Sequence, residues 1–195
     1  VFAFSYGDPD DGDRLIDSQW ATSTIYDGTT MGGATTMFGV NFADGRIKGY
    51  PVGTVGPDGT EKEYFAIYVR DGEGYGENEF ADNGDGTVTD LATLLVWQQD
   101  DSGIGMEWEQ ALEYCEALDL AGFDDWRLPN AKELQDLVDY ERGPQSSGTA
   151  AIAPVFESTP IIDEGGDRNW GFYWTGTTHA SLQGGQSAVY VAFGE

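Results

Sequence analysis

Between residues 108 and 118 the apolar positions fall three or four apart: Trp108, Ala111, Leu112, Cys115 and Leu118. That spacing predicts one face of an amphipathic helix. A second apolar set, Leu134, Leu137, Val138 and Tyr140, marks the buried face of another helix. Asn130 is suited to cap it, and Glu133 three residues later completes a capping-box arrangement. Between the two, Gly122 closes a turn. Pro129 disfavours helix at Leu128, so residues 126–129 (WRLP) must run extended.

Elsewhere the pattern is that of short strands separated by turns. Residues 36–43 (TMFGVNFA) and 46–52 (RIKGYPV) flank Asp44-Gly45, the dipeptide best suited to a two-residue hairpin turn. Residues 57–59 form another turn, and 63–70 (EYFAIYVR) read as a strand of alternating large side chains. At 82–90 (DNGDGTVTD) the NGDG core turns the chain and TVT continues as a strand. The apolar run 91–98 (LATLLVWQ) is short enough for a buried strand. After residue 143 come loops, an IAPVF segment, and strand-like pieces at 172–175 and 188–193. The fold class is therefore α+β, with a β-rich N-terminal part (1–78) packed on or continuous with a main domain (79–195).

Aromatic residues make 13% of the 195-residue chain, and disordered chains are poor in them, so this one folds. Asp and Glu number 35 against nine Lys and Arg, a formal net charge of −26. Such a surface repels phosphates and anionic membranes, which argues against nucleic acid and membrane insertion, and it attracts cations, calcium above all. Acidity also keeps a surface hydrated in a salty medium. No apolar stretch approaches the roughly 20 residues that span a bilayer. Cys115 is the one cysteine, so no intrachain disulfide or cysteine-based zinc site can form. It is expected to be a buried structural thiol, the alternative being a bridge to another chain. The one histidine, His179, is its sole imidazole partner, and nothing in the sequence positions the two together. The chain opens with Val1, and its last residues alternate like a strand that stops short. The expectation is a processed piece of a longer precursor.

Several segments, taken in order, resemble the Lcl C-terminal domain family: FADNGDGTVTD (80–90), Trp97, the whole of 108–140 with its DWRLPNAKEL core, APVF (153–156), YWTGTTH (173–179) and AVYVAFG (188–194). The stretch TMFGVNFADGRIKGYP is similar to a segment that precedes this domain in some marine-bacterial members. The resemblance implies a C-type-lectin-like fold, related to the formylglycine-generating-enzyme group, in which two helices flank a small twisted antiparallel sheet and long loops carry recognition. It implies that Trp126 packs between the helices and that Arg127 forms a buried pair with a carboxylate. Two departures stand out. Relatives have Gly where this chain has Leu94, and they continue past the equivalent of Gly194 with more strand and a late cysteine. An incomplete sheet would leave an edge open to another strand.

Three groups of residues are candidates for chemistry. Asn169, Trp170, Tyr173, Trp174 and His179, with Phe172 and the hydroxyls of 175–178, form an aromatic-rich stretch within 167–184 whose ring faces, amide and hydroxyls are the groups that hold sugar rings by stacking and directional hydrogen bonds. Asp82, Asp85 and Asp90 could supply oxygens to Ca2+, although an EF-hand would want acids where Gly84 and Gly86 stand; the alternative is side chains that cap their own turn. Asp8, Asp10 and Asp13 are a second calcium candidate, or a solvated charge cluster. The expected function is an extracellular or cell-surface, non-catalytic lectin-like domain that binds a glycan or surface protein, calcium-assisted or not. The alternative is a self-associating structural subunit of an extracellular assembly or filament. Members of the family include adhesins for glycosaminoglycan-type sugars, but a sulfated sugar is a poor match for so acidic a chain.

Overall fold

In the TMFGVN segment, four of six residues are buried and they lie on both faces, as befits a strand with neighbours on both sides. It is β2 (Thr36–Asn41), the centre of an antiparallel sheet between β1 (Gln19–Ile25) and β3 (Ile47–Pro51). The computed structural model describes residues 6, 8–11, 18–30, 33–53, 61, 63–179 and 187–194. This sheet belongs to the first of two units, Val1–Glu73; the second is Gly74–Glu195.

The core of the first unit gathers on Trp20, Met37 and Tyr50, with Phe42 and Phe65 against the Trp20 ring. Gly39 is there because nothing larger fits: a Cβ would lie 2.7 Å from the Tyr50 ring and 2.8 Å from the Trp20 carbonyl. The 36–52 hairpin is present, but its loop is longer than two residues. The Asn41 N–H donates to the Arg46 carbonyl and the Gly45 N–H to the Asn41 carbonyl, with Gly45 at φ 75°. The Asn41 and Asp44 side chains accept from Ala43 and Arg46 and take over the turning. The expected strand at 63–70 is corrected. Among the described residues only Phe65 pairs, with β1, and residues 66–70 lie outside any strand, leaving Tyr68 94% exposed. The turn expected at 57–59 lies outside the described residues.

In the second unit β4 (Phe80–Asp82), β5 (Thr87–Asp90) and β6 (Val96–Gln98) form a three-stranded antiparallel sheet. The NGDG turn joins β4 to β5 as expected, with Gly84 and Gly86 at positive φ. The buried strand expected over 91–98 shrinks to β6. Residues 91–93 turn on Asp90, and Leu94 sits at φ 63°, 77% exposed.

Helix α1 (Trp108–Ala117) follows, its first turn fastened by the Gln110 side chain, which accepts from the Glu107 N–H. It runs into a tight turn at Leu120–Phe123, whose central Ala121 and Gly122 both have positive φ. Helix α2 (Ala131–Asp136) has the predicted capping box: Asn130 Oδ1 accepts from Lys132 and Glu133, and Glu133 from the Asn130 N–H. It is shorter than the periodicity suggests, because Val138 pairs with Ile152 and Asp139 donates to the Ala151 carbonyl. Leu134 and Leu137 are buried nonetheless.

A hairpin of β7 (Pro160–Ile162) and β8 (Arg168–Trp170) and a ribbon of β9 (Phe172–Thr178) and β10 (Ala188–Ala192) complete the unit. The class is α+β, small antiparallel sheets with two short helices. Val88, Leu134, Ile152, Phe156, Trp170, Val191 and Phe193 are among the residues that form its core. Gly194 closes over that core so tightly that a Cβ would overlap the Trp170 carbonyl and Asn169 Oδ1.

Candidate functional site

Strand β9 organises the second unit. The Trp108 indole N–H donates to the Thr175 carbonyl at 2.8 Å, the Gly176 N–H to the Pro129 carbonyl, and the Ala131 N–H to Thr177 Oγ1 at 3.0 Å. One strand thereby fixes the starts of both helices and the WRLP segment. Trp126 is half-buried and donates to the Phe123 carbonyl. Arg127 pairs with Glu133 through two hydrogen bonds of 2.8 and 3.0 Å, but its side chain is 60% exposed, so the pair is a surface one and not the buried pair expected.

Alternation along β9 and β10 sorts their side chains. Tyr173 and Thr175, with Val191 and Phe193, turn toward the core. Phe172, Trp174 and Tyr190 share the other face, Tyr190 opposite Trp174 in register. Phe172 is 63% exposed and Tyr190 54%, with ring centres 4.9 Å apart; Trp174 and Tyr190 are 6.1 Å apart. The Trp174 N–H is held by the Met106 carbonyl, which fixes its ring. Three aromatic rings in edge contact thus meet water on a rigid ribbon.

Of the residues expected to contact a ligand, Tyr173 and Trp174 lie on this ribbon. Asn169 and Trp170 are each 5% exposed and belong to the core, where Asn169 Oδ1 accepts from the Trp170 N–H. His179 is half-buried at the end of β9, its backbone N–H donating to the Ser187 carbonyl. Phe172 falls in the aromatic-rich stretch expected to meet a ligand, whereas Tyr190 lies outside it and was not expected. The two-residue period of FYWTGTT and AVYVAF is the signal that places them together.

The ribbon also walls a cleft of about 720 Å³ inside the second unit. Leu118, Phe123, Leu128 and Ile152 line it, as does the half-buried Cys115, whose thiol is pushed up by burial. At one side Asp101 accepts from the Thr159 N–H and hydroxyl, the Tyr173 hydroxyl (each 2.6 Å) and the Gly103 N–H (2.8 Å). Burial alone would raise this carboxyl; the bonds from Thr159 and Tyr173 outweigh it and hold it below the usual range. Burial, and next the Asp101 carboxylate, push the Tyr173 phenol far above its ordinary value.

The acids proposed as calcium ligands turn their oxygens on their own backbone. Asp82 accepts from the Gly84 N–H, Asp85 from the Thr87 N–H and hydroxyl, and Asp90 from Glu79, Ala92 and Thr93. Asp90 is 1% exposed. Its burial would raise the carboxyl, but those hydrogen bonds, led by Thr93, bring it below the usual value. Asp8 accepts from the Asp10 N–H, and Asp13 lies outside the described residues. Among the described residues no group of three or more His, Cys, Asp or Glu is arranged to hold a metal ion, and no helix is long and apolar enough to cross a membrane.

A small α+β domain with a walled cleft and an aromatic ribbon is therefore what the second unit presents. The chain belongs to the Lcl C-terminal domain family, whose sequence model matches residues 86–195. Among curated proteins and among solved structures, nothing matches.

Proposed function

We propose that this protein is a cell-surface-related, non-catalytic binding domain, a C-type-lectin-like variant that holds a glycan or surface-protein ligand on the Phe172–Trp174–Tyr190 face. The observation that carries the reading is the exposure of those rings on a strand whose other face is fixed in the core. A surface aromatic cluster is costly to leave in water and well suited to stack on the CH faces of sugar rings. The strong negative charge favours neutral over sulfated sugars. Localisation outside the cell belongs to the same reading, and a calcium-assisted mode is its finer form.

The test is a glycan and surface-protein array probed with the native chain, with and without EDTA. Retention of a neutral glycan is expected, falling about tenfold or more in Phe172→Ala and Tyr190→Ala. Array binding that ignores both substitutions would remove the aromatic face from the function; loss in EDTA would support the calcium-assisted form.

A second reading, a subunit of an extracellular assembly, is favoured by one observation. Residues 66–70 lie outside any strand with Ile67, Tyr68 and Val69 exposed, alternating-sequence material of the kind that can add to a foreign sheet. Sizing by light scattering in calcium-containing buffer tests it, and a particle that stays monomeric at high concentration argues against it.

A further inference from the structure

We propose that the cleft of the second unit is a binding site for a small organic cation: an apolar, preferably aromatic body carrying one ammonium group. The cleft shares Phe172 and Trp174 with the aromatic face, but the inference is argued from the volume and charge of the cleft and does not require a glycan on that face.

Size comes first. About 720 Å³ lies within the range of small-molecule sites, roughly 300–1,000 Å³. Its lining is chiefly apolar, and a half-buried thiol held protonated by burial adds to that character. Apolar surface facing water is unfavourable, and a matching apolar body relieves it.

Charge selects the sign of the ligand. Arg127 is the basic residue in the lining, and Glu133 already neutralises it through two hydrogen bonds. Asp101 is likewise engaged, by Thr159 and Tyr173. Asp100, Asp125 and Glu157 remain: exposed carboxylates in the same lining, with no hydrogen-bond or ion-pair partner among the described residues. Asp100 and Glu157 are held side by side, because the Glu157 N–H donates to the Gln99 carbonyl and the Asp101 N–H to the Glu157 carbonyl. The second unit as a whole holds 23 of the 35 acids and four of the nine bases. An anion approaching this lining is repelled, and a cation with an apolar body finds both partners.

The experiment uses the full chain with three probes of one shape: phenylbutylamine, phenylbutanol and phenylbutyrate. Calorimetry gives stoichiometry and affinity, and the rate of Cys115 alkylation reports occupancy. The expected result is saturable one-to-one binding of the amine, at least about tenfold tighter than the carboxylate, about 1.4 kcal/mol, with Cys115 protected. Cys115→Phe fills the cleft and is expected to abolish binding. Should that variant fail to fold, Asp100→Asn with Glu157→Gln, both exposed, is expected to cut the amine preference about threefold or more. Equal affinity for all three probes, no binding, non-saturable uptake with Cys115 unprotected, or an unchanged preference in the double variant each overturns the proposal.

Discussion

The Tyr173 hydroxyl donates a 2.6 Å hydrogen bond to Asp101, joining β9 to the loop that leads into α1. A neutral phenol and an ionised carboxylate stabilise each other there, and each shifts away from its ordinary pKa. Tyr173→Phe is expected to cost about 1.5–3 kcal/mol in urea denaturation, as for a hydrogen bond to a charged group.

The pH dependence follows from the two directions. The Tyr173 value is raised, so its contribution is complete below the free phenol value of about 10 and declines as pH climbs toward the higher folded value. The Asp101 value is lowered, so its contribution is present above about 3.9 and lost as pH falls through the folded value. Stability measured across pH should show a flatter alkaline limb in Tyr173→Phe and a flatter acid limb in Asp101→Asn. Unchanged limbs in both would remove this pair from the account.

Gly194 sits against the Trp170 backbone and the Asn169 side-chain oxygen without room for a Cβ. Gly194→Ala is expected to lose about 1–3 kcal/mol through forced displacement of rigid neighbours. A melting temperature equal to that of the parent would contradict the packing described.

Leu94 at φ 63° occupies a conformation that costs an L-residue roughly 1–2 kcal/mol. Its side chain is exposed, so little packing is lost with it. Glycine gives back about 0.5–1 kcal/mol through backbone entropy. Leu94→Gly should therefore raise stability by up to about 1 kcal/mol, and a lowered melting temperature would speak against the turn.

The Arg127–Glu133 pair is on the surface, so Arg127→Gln is expected to cost less than about 1 kcal/mol and to matter less in high salt. Glu133→Ala should cost more, because Glu133 also accepts from the Asn130 N–H at the start of α2. Denaturation of the two variants side by side checks the order.

Much of this was legible in the residues. The spacing from Trp108 to Leu118, the Asn130–Glu133 box and the DNGDG turn each encode local geometry that tertiary packing left unaltered. What failed was decided by partners far along the chain. Residues 66–70 have the composition of a strand, but past Phe65 no strand takes up their backbone. The apolar run at 91–98 is interrupted because Asp90 captures the Ala92 and Thr93 donors and turns the chain. Trp170 resembles a ligand platform by type, yet it is a core residue, and β7–β8 was hidden in what reads as an acidic glycine-rich loop.

Strand β9 gives the domain a mechanical property. Load applied at Phe172 or Trp174 runs along a strand bonded sideways to β10, to Pro129 and to the first residues of both helices. Pulling lengthwise would shear several of these bonds together, where peeling would break them one after another.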